Sequence, residues 1–328
     1  MKTFDSIQAT IFHSLKDPRS KSLEPDCLFP RTAITTQSPR GEGKGEGRLR
    51  HWVLVFGNYL EFGIWRLGFF LLLVFLSVTL GCQRSKAGIT VAGSTSVEPF
   101  AELLAEEYMS IHHGAHIYVQ GGGSTAGIEA AMSGAANIGM SSRNLIDTEK
   151  ELYAVTIAKD AIAVIVHPAN PIEDLPLDKI REIFSGKIAN WKELEGRDHP
   201  IDIVTREEGS GTRESFQKFV MGKEDISLGA LVQDSNGAVR QVISSDPNAI
   251  GYISLGLVND QVKALRISGV QSSLANVNNG KYTLVRPFLF VFRGEPSEGA
   301  KSFLDFVLSL PAQKLLLKEG LVPVKKLQ

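Results

Sequence analysis

Between Thr205 and Val220 the chain reads T-R-E-E-G-S-G-T-R-E-S-F-Q-K-F-V, and residues of these types at this spacing suit the capture of an anion. The alternating run Ile201-Asp202-Ile203-Val204 predicts a strand leading in, and Phe216, Phe219 and Val220 follow at helical spacing. A Gly-Ser-Gly-Thr turn therefore opens a helix, whose first N–H groups lack backbone partners and carry partial positive charge. Gly209 and Gly211 let a ligand come close to that backbone, Ser210 and Thr212 add hydroxyl donors, and Arg206 supplies a planar cationic fork. Of the neighbouring acids Glu207 and Glu208, one is expected to orient Arg206. Ser and Gly also begin helices for capping alone, so this turn by itself leaves both readings open.

Three further turns share this chemistry. Ile89-Thr90-Val91-Ala92 predicts a strand that ends in Gly93-Ser94-Thr95-Ser96-Val97-Glu98-Pro99 and passes into a helix. Thr95 and Glu98 have the spacing of a capping box, and Pro99 is tolerated in a first helical turn. His116 to Gln120 predicts a second strand, then come Gly121-Gly122-Gly123-Ser124-Thr125 and a helix from Ala126 to Met132 whose small residues permit close approach. A third strand, Asn137 to Met140, ends in Ser141-Ser142-Arg143-Asn144. A repeated strand–turn–helix pattern implies a largely parallel sheet, in which the strand ends share one edge. The hydroxyls of separate turns are thus expected to meet.

Other motifs argue against other chemistries. Gly121, Gly123 and Ala126 satisfy the weak pattern G-x-G-x-x-G/A, but Ser141 to Asn144 stand where a dinucleotide site wants an acidic residue. No phosphate-binding loop ending in Gly-Lys-Ser/Thr occurs, and neither Ser124 nor Ser210 sits in a G-x-S-x-G elbow. His112, His113 and His116 straddle a turn at Gly114 without Cys or acidic companions, so no metal or cofactor is expected. The formal net charge of the 328 residues is −1, and the part beyond Gly81 carries 25 Lys and Arg against 29 Asp and Glu. That balance argues against a nucleic-acid surface. The two cysteines, Cys27 and Cys82, flank the strongly apolar segment, so no disulfide framework is expected.

The first 58 residues, rich in Ser, Pro, Gly and charge, are expected to be disordered or an over-extended reading frame. Residues 59–81 hold the apolar run Leu67 to Leu80, short for a bilayer span but suited to a secretory signal. With Gly81-Cys82 behind it, this run resembles a bacterial lipoprotein signal in which Cys82 would take the lipid, although Thr79 and Leu80 depart from the usual residues before that cysteine. Everything beyond Cys82 is then expected outside the cytoplasm. There, 87–162 and 287–328 read as one lobe and 163–286 as an inserted second, joined by the apolar strands Ala161 to Val166 and Thr283 to Phe292. A cleft between lobes is where small ligands usually bind.

Taken in order, G-S-T-S-V-x-P (93–99), Q-G-G-G-S-T-A-G-I (120–128), I-G-M-S-S-R (138–143), I-F-S-G-K-I-x-N-W (183–191), R-E-E-G-S-G-T-R (206–213) and G-Y-I-S-L-G (251–256) resemble the substrate-binding proteins of phosphate-specific ABC transporters. The resemblance covers essentially all of 88–328. It implies an α/β, two-lobed periplasmic-binding-protein fold with two hinge crossings, mostly parallel sheets and helices on both faces. It further implies a monomer that carries inorganic phosphate to a membrane permease and is not an enzyme. Carried over by position, Thr95, Ser96, Ser124, Ser142, Arg206, Ser210, Gly211 and Thr212 match phosphate-binding turns. Where well-known members place an aspartate that accepts the ligand's proton, this chain has Ser142 and Arg143, and Arg143 is expected to supply a second cation. Another tetrahedral oxyanion (sulfate, molybdate or tungstate) and a secreted phosphatase remain as alternative readings.

Overall fold

The computed structural model describes residues 88–325. The segments 1–58 and 59–81, and with them Cys82, lie outside the described residues. The elements that build the site are β1 (Ile89–Gly93), α1 (Glu98–Ile111), β2 (Ile117–Gly121), α2 (Ser124–Ser133), β3 (Ile138–Ser141), β4 (Tyr153–Val166), α3 (Leu177–Phe184), β5 (Asp202–Arg206), α4 (Gly211–Phe216), β6 (Leu231–Gln233), α5 (Asn236–Ser245), β7 (Ala249–Ser254), β8 (Val285–Phe292), α6 (Glu298–Val307) and α7 (Leu310–Lys318).

The main path of the sheet runs β2-β1-β3-β8-β4-β7-β5-β6. Both of its ends are parallel, β2-β1-β3 on one side and β7-β5-β6 on the other, as the strand–turn–helix repeats require. The middle is antiparallel, because β4 and β8 carry the chain between the two halves in opposite senses and pair with each other from Val285↔Ala161 to Phe292↔Tyr153. The sheet is therefore mixed. β4 spans the divide: its first part pairs with β8, and Ile162 to Val166 pair with β7. It is also longer than the apolar run Ala161 to Val166 suggests, since Thr156, Lys159 and Asp160 interrupt the hydrophobic pattern upstream without ending the ladder.

Each half has its own core. In the first, α1 presents Phe100, Ala101, Leu104, Ala105 and Tyr108 at helical spacing to Val91, Met140, Phe288 and Phe290, with Phe303 of α6 and Leu316 of α7 closing the cluster. In the second, Phe216 of α4 stacks on Tyr252 of β7 with ring centroids 3.9 Å apart, and Phe184 of α3 meets Phe216 edge-on at 4.7 Å. Trp191 is buried beside them, its indole N–H donating to the Asn248 carbonyl at 2.8 Å. The aromatic rings beneath α4 fix the height at which its first turn meets the other half.

The Thr95–Glu98 capping box does not form. Helix α1 begins at Glu98 with Val97 as its cap, and the Ser94 carbonyl accepts from the N–H groups of both Val97 and Glu98. The backbone thus satisfies the first turn without Thr95, whose hydroxyl faces the opposite half.

Helix α2 lies so close to β1 and β3 that a side chain on Gly127 would place its Cβ 2.5 Å from Gly93 Cα and 2.6 Å from the Ala92 carbonyl oxygen. Backbone atoms cannot swing aside. Gly127→Ala is therefore expected to lower unfolding stability by about 1–3 kcal/mol, measured by chemical denaturation; an unchanged midpoint would show that α2 is free to lift from the sheet.

Candidate anion-binding site

Four turns from the two halves meet at the middle of the sheet. From the first half, Ser94 and Ser96 follow β1, Ser124 opens α2 and Ser142 follows β3. From the second, Ser210, Gly211 and Thr212 follow β5. Ser94 Oγ donates to Ser142 Oγ at 2.9 Å, and Ser124 Oγ lies 3.3 Å from Ser142 Oγ. Across the divide Ser96 Oγ lies 2.8 Å from Thr212 Oγ1, and Asn236 of α5 donates from Nδ2 to Ser96 Oγ at 2.9 Å. Ser94, Ser96, Ser124, Ser142, Ser210 and Thr212 are all buried. Five of these hydroxyls, those of Ser94, Ser96, Ser124, Ser142 and Thr212, hydrogen-bond to one another in two linked pairs and a cross-lobe pair, a buried polar cluster that an anion can enter as the shared acceptor.

Arg206, at the end of β5, is 1% exposed. Its Nε and Nη2 donate to the two carboxylate oxygens of Glu207, each at 2.8 Å, and Nη2 also reaches Thr95 Oγ1 at 3.0 Å. Nη1 has no hydrogen-bond partner among the described residues. A buried cationic donor left open is costly unless a ligand takes it. Glu207 is the acid that orients Arg206; Glu208 is exposed.

Ser210 caps α4, its Oγ accepting from the Arg213 N–H at 3.3 Å. Gly211 is required by proximity: a Cβ there would stand 2.3 Å from Ser124 Oγ and 2.7 Å from Ser142 Oγ. The two halves also share a backbone hydrogen bond, Thr125 N–H to the Gly209 carbonyl at 3.1 Å. The structure brings Thr95, Ser96, Ser124, Ser142, Arg206, Gly211 and Thr212 to one place, with Ser210 beside them as the cap of α4.

Arg143 does not join them. Its guanidinium turns to Glu149, with Nη1 and Nη2 at 2.7 and 2.9 Å from the carboxylate, and its Nε lies 2.7 Å from Glu214 of α4. These two acids occupy the fork that was expected to face the ligand. Burial works against the Glu149 carboxylate, but the hydrogen bonds from Arg143 and the Ile146 N–H outweigh it and hold the group below its usual range. Arg143 ties the first half to α4 instead of presenting a cation to the hydroxyls.

The cation that does reach the hydroxyls is Arg286 of β8, which sequence reasoning passed over. Nη1 donates to Thr212 Oγ1 at 2.8 Å and Ser142 Oγ at 3.2 Å, and Nη2 to Ser96 Oγ at 3.1 Å. Asp160, directly opposite in the β4–β8 register, takes Nε and Nη2 at 3.0 and 2.9 Å. Burial pushes the Asp160 carboxyl up, while Arg286 and the Ser254 hydroxyl act in the other direction. The available signal was a pair of polar interruptions, Asp160 and Arg286, in two apolar strands. Hydroxyl, amide and guanidinium donors on all sides suit a small tetrahedral oxyanion.

Fold and site together define a two-halved α/β binding protein. A family model described as a PBP superfamily domain matches residues 80–310. The chain is 34% identical over 252 residues to phosphate-binding protein PstS of Bacillus subtilis, covering 74% of this chain and 83% of that protein. It is 28% identical to PstS of Borreliella burgdorferi, over 74% and 92% of the two chains. A Clostridium perfringens structure described as a phosphate ABC transporter substrate-binding protein with bound phosphate is 42% identical and superimposes with a TM-score of 0.71 over 73% of this chain and all of that one. An ABC-type phosphate transport receptor of Vibrio cholerae is 37% identical, with a TM-score of 0.61 over 71% of this chain and 99% of that one. The chain belongs to the PBP superfamily and, within it, to the PstS phosphate-binding proteins.

Gly211→Ala is expected to remove oxyanion binding while the thermal melt stays close to that of the parent, because the added methyl strikes Ser124 and Ser142 only where the halves meet. Binding measured by calorimetry at parental strength would show that α4 and the first half stand further apart than these distances allow.

Proposed function

We propose that this chain binds inorganic phosphate between its two halves outside the cytoplasm and delivers it to an ABC-type permease in the membrane. The observation that carries the reading is buried Arg206, whose Nη2 reaches Thr95 Oγ1 and whose Nη1 is left open, on a strand end whose following turn brings Thr212 to the buried hydroxyls of the other half. The names borne by the relatives support it. Residues 87–162 with 287–328 act as one lobe and 163–286 as the other, turning about β4 and β8. Cys82 carries a lipid anchor, and the receptor works as a monomer without catalytic turnover.

The magnitudes are consistent. Moving a multiply charged oxyanion out of water costs several kcal/mol or more per charge. Charge-assisted hydrogen bonds of ~1.5–3 kcal/mol each, in the number these turns provide, exceed the ~8 kcal/mol of a micromolar complex. The excess goes to desolvation and to ordering the two lobes. Since the donors come from both lobes, the ligand favours the form in which they meet, and differential contact is the only means by which it can shift a hinge.

Equilibrium dialysis with radiolabelled phosphate tests the reading. The parent protein is expected to retain phosphate against an excess of molybdate or tungstate, and Arg206→Ala to weaken retention by about 2–5 kcal/mol. Affinity unaltered by that substitution would remove Arg206 from the site, and displacement by molybdate or tungstate at equal concentration would favour a different oxyanion.

A further inference from the structure

We propose that Asn236 is a positioning residue for the ligand: its side-chain amide reaches across the divide, fixes the Ser96 hydroxyl as a donor and so slows release of the bound oxyanion. The inference rests on the phosphate reading and deepens it by naming a residue of the second half that acts on phosphate through a hydroxyl of the first.

Asn236 opens α5 and is 1% exposed, yet the helix does not use its amide. Ser235 is the cap, its Oγ accepting from the Ala238 N–H at 3.1 Å, and Val239 and Ile243 bury the apolar face. The amide is engaged elsewhere. Its Oδ1 accepts from the Ser254 N–H at 3.1 Å, and its Nδ2 donates to Ser96 Oγ at 2.9 Å. A backbone N–H can only donate, so Oδ1 has to face Ser254 and Nδ2 has to face Ser96. The amide cannot be turned round. Ser254, at the end of β7, is held in its turn by its hydroxyl, which donates to Asp160 Oδ1 at 2.7 Å. The serine of the run G-Y-I-S-L-G thus takes part in the site through Asn236.

A serine hydroxyl has two lone pairs and one hydrogen. At Ser96 Oγ, Asn236 Nδ2 at 2.9 Å and Arg286 Nη2 at 3.1 Å both donate and have nothing to accept with, so together they fill the lone pairs. The hydrogen is left to be given away, to Thr212 Oγ1 at 2.8 Å or to an oxyanion that takes its place. Without Asn236 one lone pair is released, and the hydroxyl can turn to accept from Thr212. A hydroxyl hydrogen binds an anion strongly, whereas a lone pair turned to the anion opposes it. Ser96 follows β1 in the first half and Asn236 opens α5 in the second, 140 residues away. Their contact forms only where the halves meet, so it acts on release of the ligand and not on the encounter.

The experiment measures association and release of radiolabelled inorganic phosphate by rapid filtration on the full chain. It uses the parent, Asn236→Ala, Ser96→Ala and the two combined, each checked for folding by the thermal melt of the ligand-free protein. Asn236→Ala is expected to release phosphate roughly 10-fold faster with the association rate unchanged. Ser96→Ala is expected to release it faster still, and the double variant to match Ser96→Ala, because Asn236 acts through that hydroxyl. A folded Asn236→Ala with parental release overturns the inference. So does a double variant that exceeds Ser96→Ala by the full single-variant factor, since Asn236 would then act through Ser254 and the helix alone. Should Asn236→Ala not fold, solvent exchange of the Asn236 side-chain amide hydrogens, read by NMR with phosphate bound, decides. Slow exchange in the parent and fast exchange in Ser96→Ala are expected, and equal exchange overturns the inference. A parent that binds no phosphate overturns the phosphate reading, and this inference with it.

Discussion

A guanidinium taken out of water must be neutralised on one edge and satisfied on the other, and leaving either undone costs several kcal/mol. Arg206 and Arg286 meet the first demand with carboxylates and the second with hydroxyls, apart from the single open donor on Arg206. The means differ. Glu207 is the next residue in the chain, so Arg206 is neutralised wherever β5 forms. Asp160 is 126 residues from Arg286, and only the register of β4 against β8 brings the two together. The site therefore inherits its geometry from the strand crossing, and the mixed centre of the sheet is what places a cation where the parallel halves deliver their hydroxyl turns.

The same junction explains how a ligand can couple the halves. Ser94, Ser96, Ser124 and Ser142 are fixed by β1, α2 and β3; Gly211, Thr212 and Arg206 are fixed by β5 and by the Phe216–Tyr252 stack under α4. Between them stand contacts of several kinds: the Thr125–Gly209 backbone bond, the Ser96–Thr212 hydroxyl pair and the Arg143–Glu214 ion pair. None is large alone, and an exposed or half-exposed ion pair contributes little. An oxyanion that accepts from both sides at once adds to all of them, which is the differential interaction a two-state hinge requires.

What could be read in the sequence was local. A strand, a turn of Gly, Ser and Thr, and a helix occupy a dozen residues, and each such unit carries its own signals of periodicity and breaking. The parallel halves, the four turns and an orienting role for one of Glu207 and Glu208 follow from such units. What depended on distant partners was not legible. Arg286-Pro287 reads as a break in an apolar strand, and nothing near it in the chain announces Asp160. Arg143 adjoins Ser142 and so reads as a ligand cation, yet Glu149, six residues on, takes its Nη1 and Nη2, and Glu214, brought by the fold, pairs with it at Nε. Thr95 and Glu98 have capping-box spacing, but the Ser94 carbonyl reaches the first turn before the Thr95 side chain is needed.

The central claim is that hydroxyls from separate turns and the two arginines surround one tetrahedral oxyanion. A crystal structure of the protein grown with phosphate tests it most directly. The account predicts a single ion whose oxygens lie within hydrogen-bond distance of Ser96, Ser124, Ser142, Thr212, Arg206 Nη1 and Arg286 Nη1. An ion bound elsewhere, with these side chains still hydrogen-bonded to one another, would contradict it.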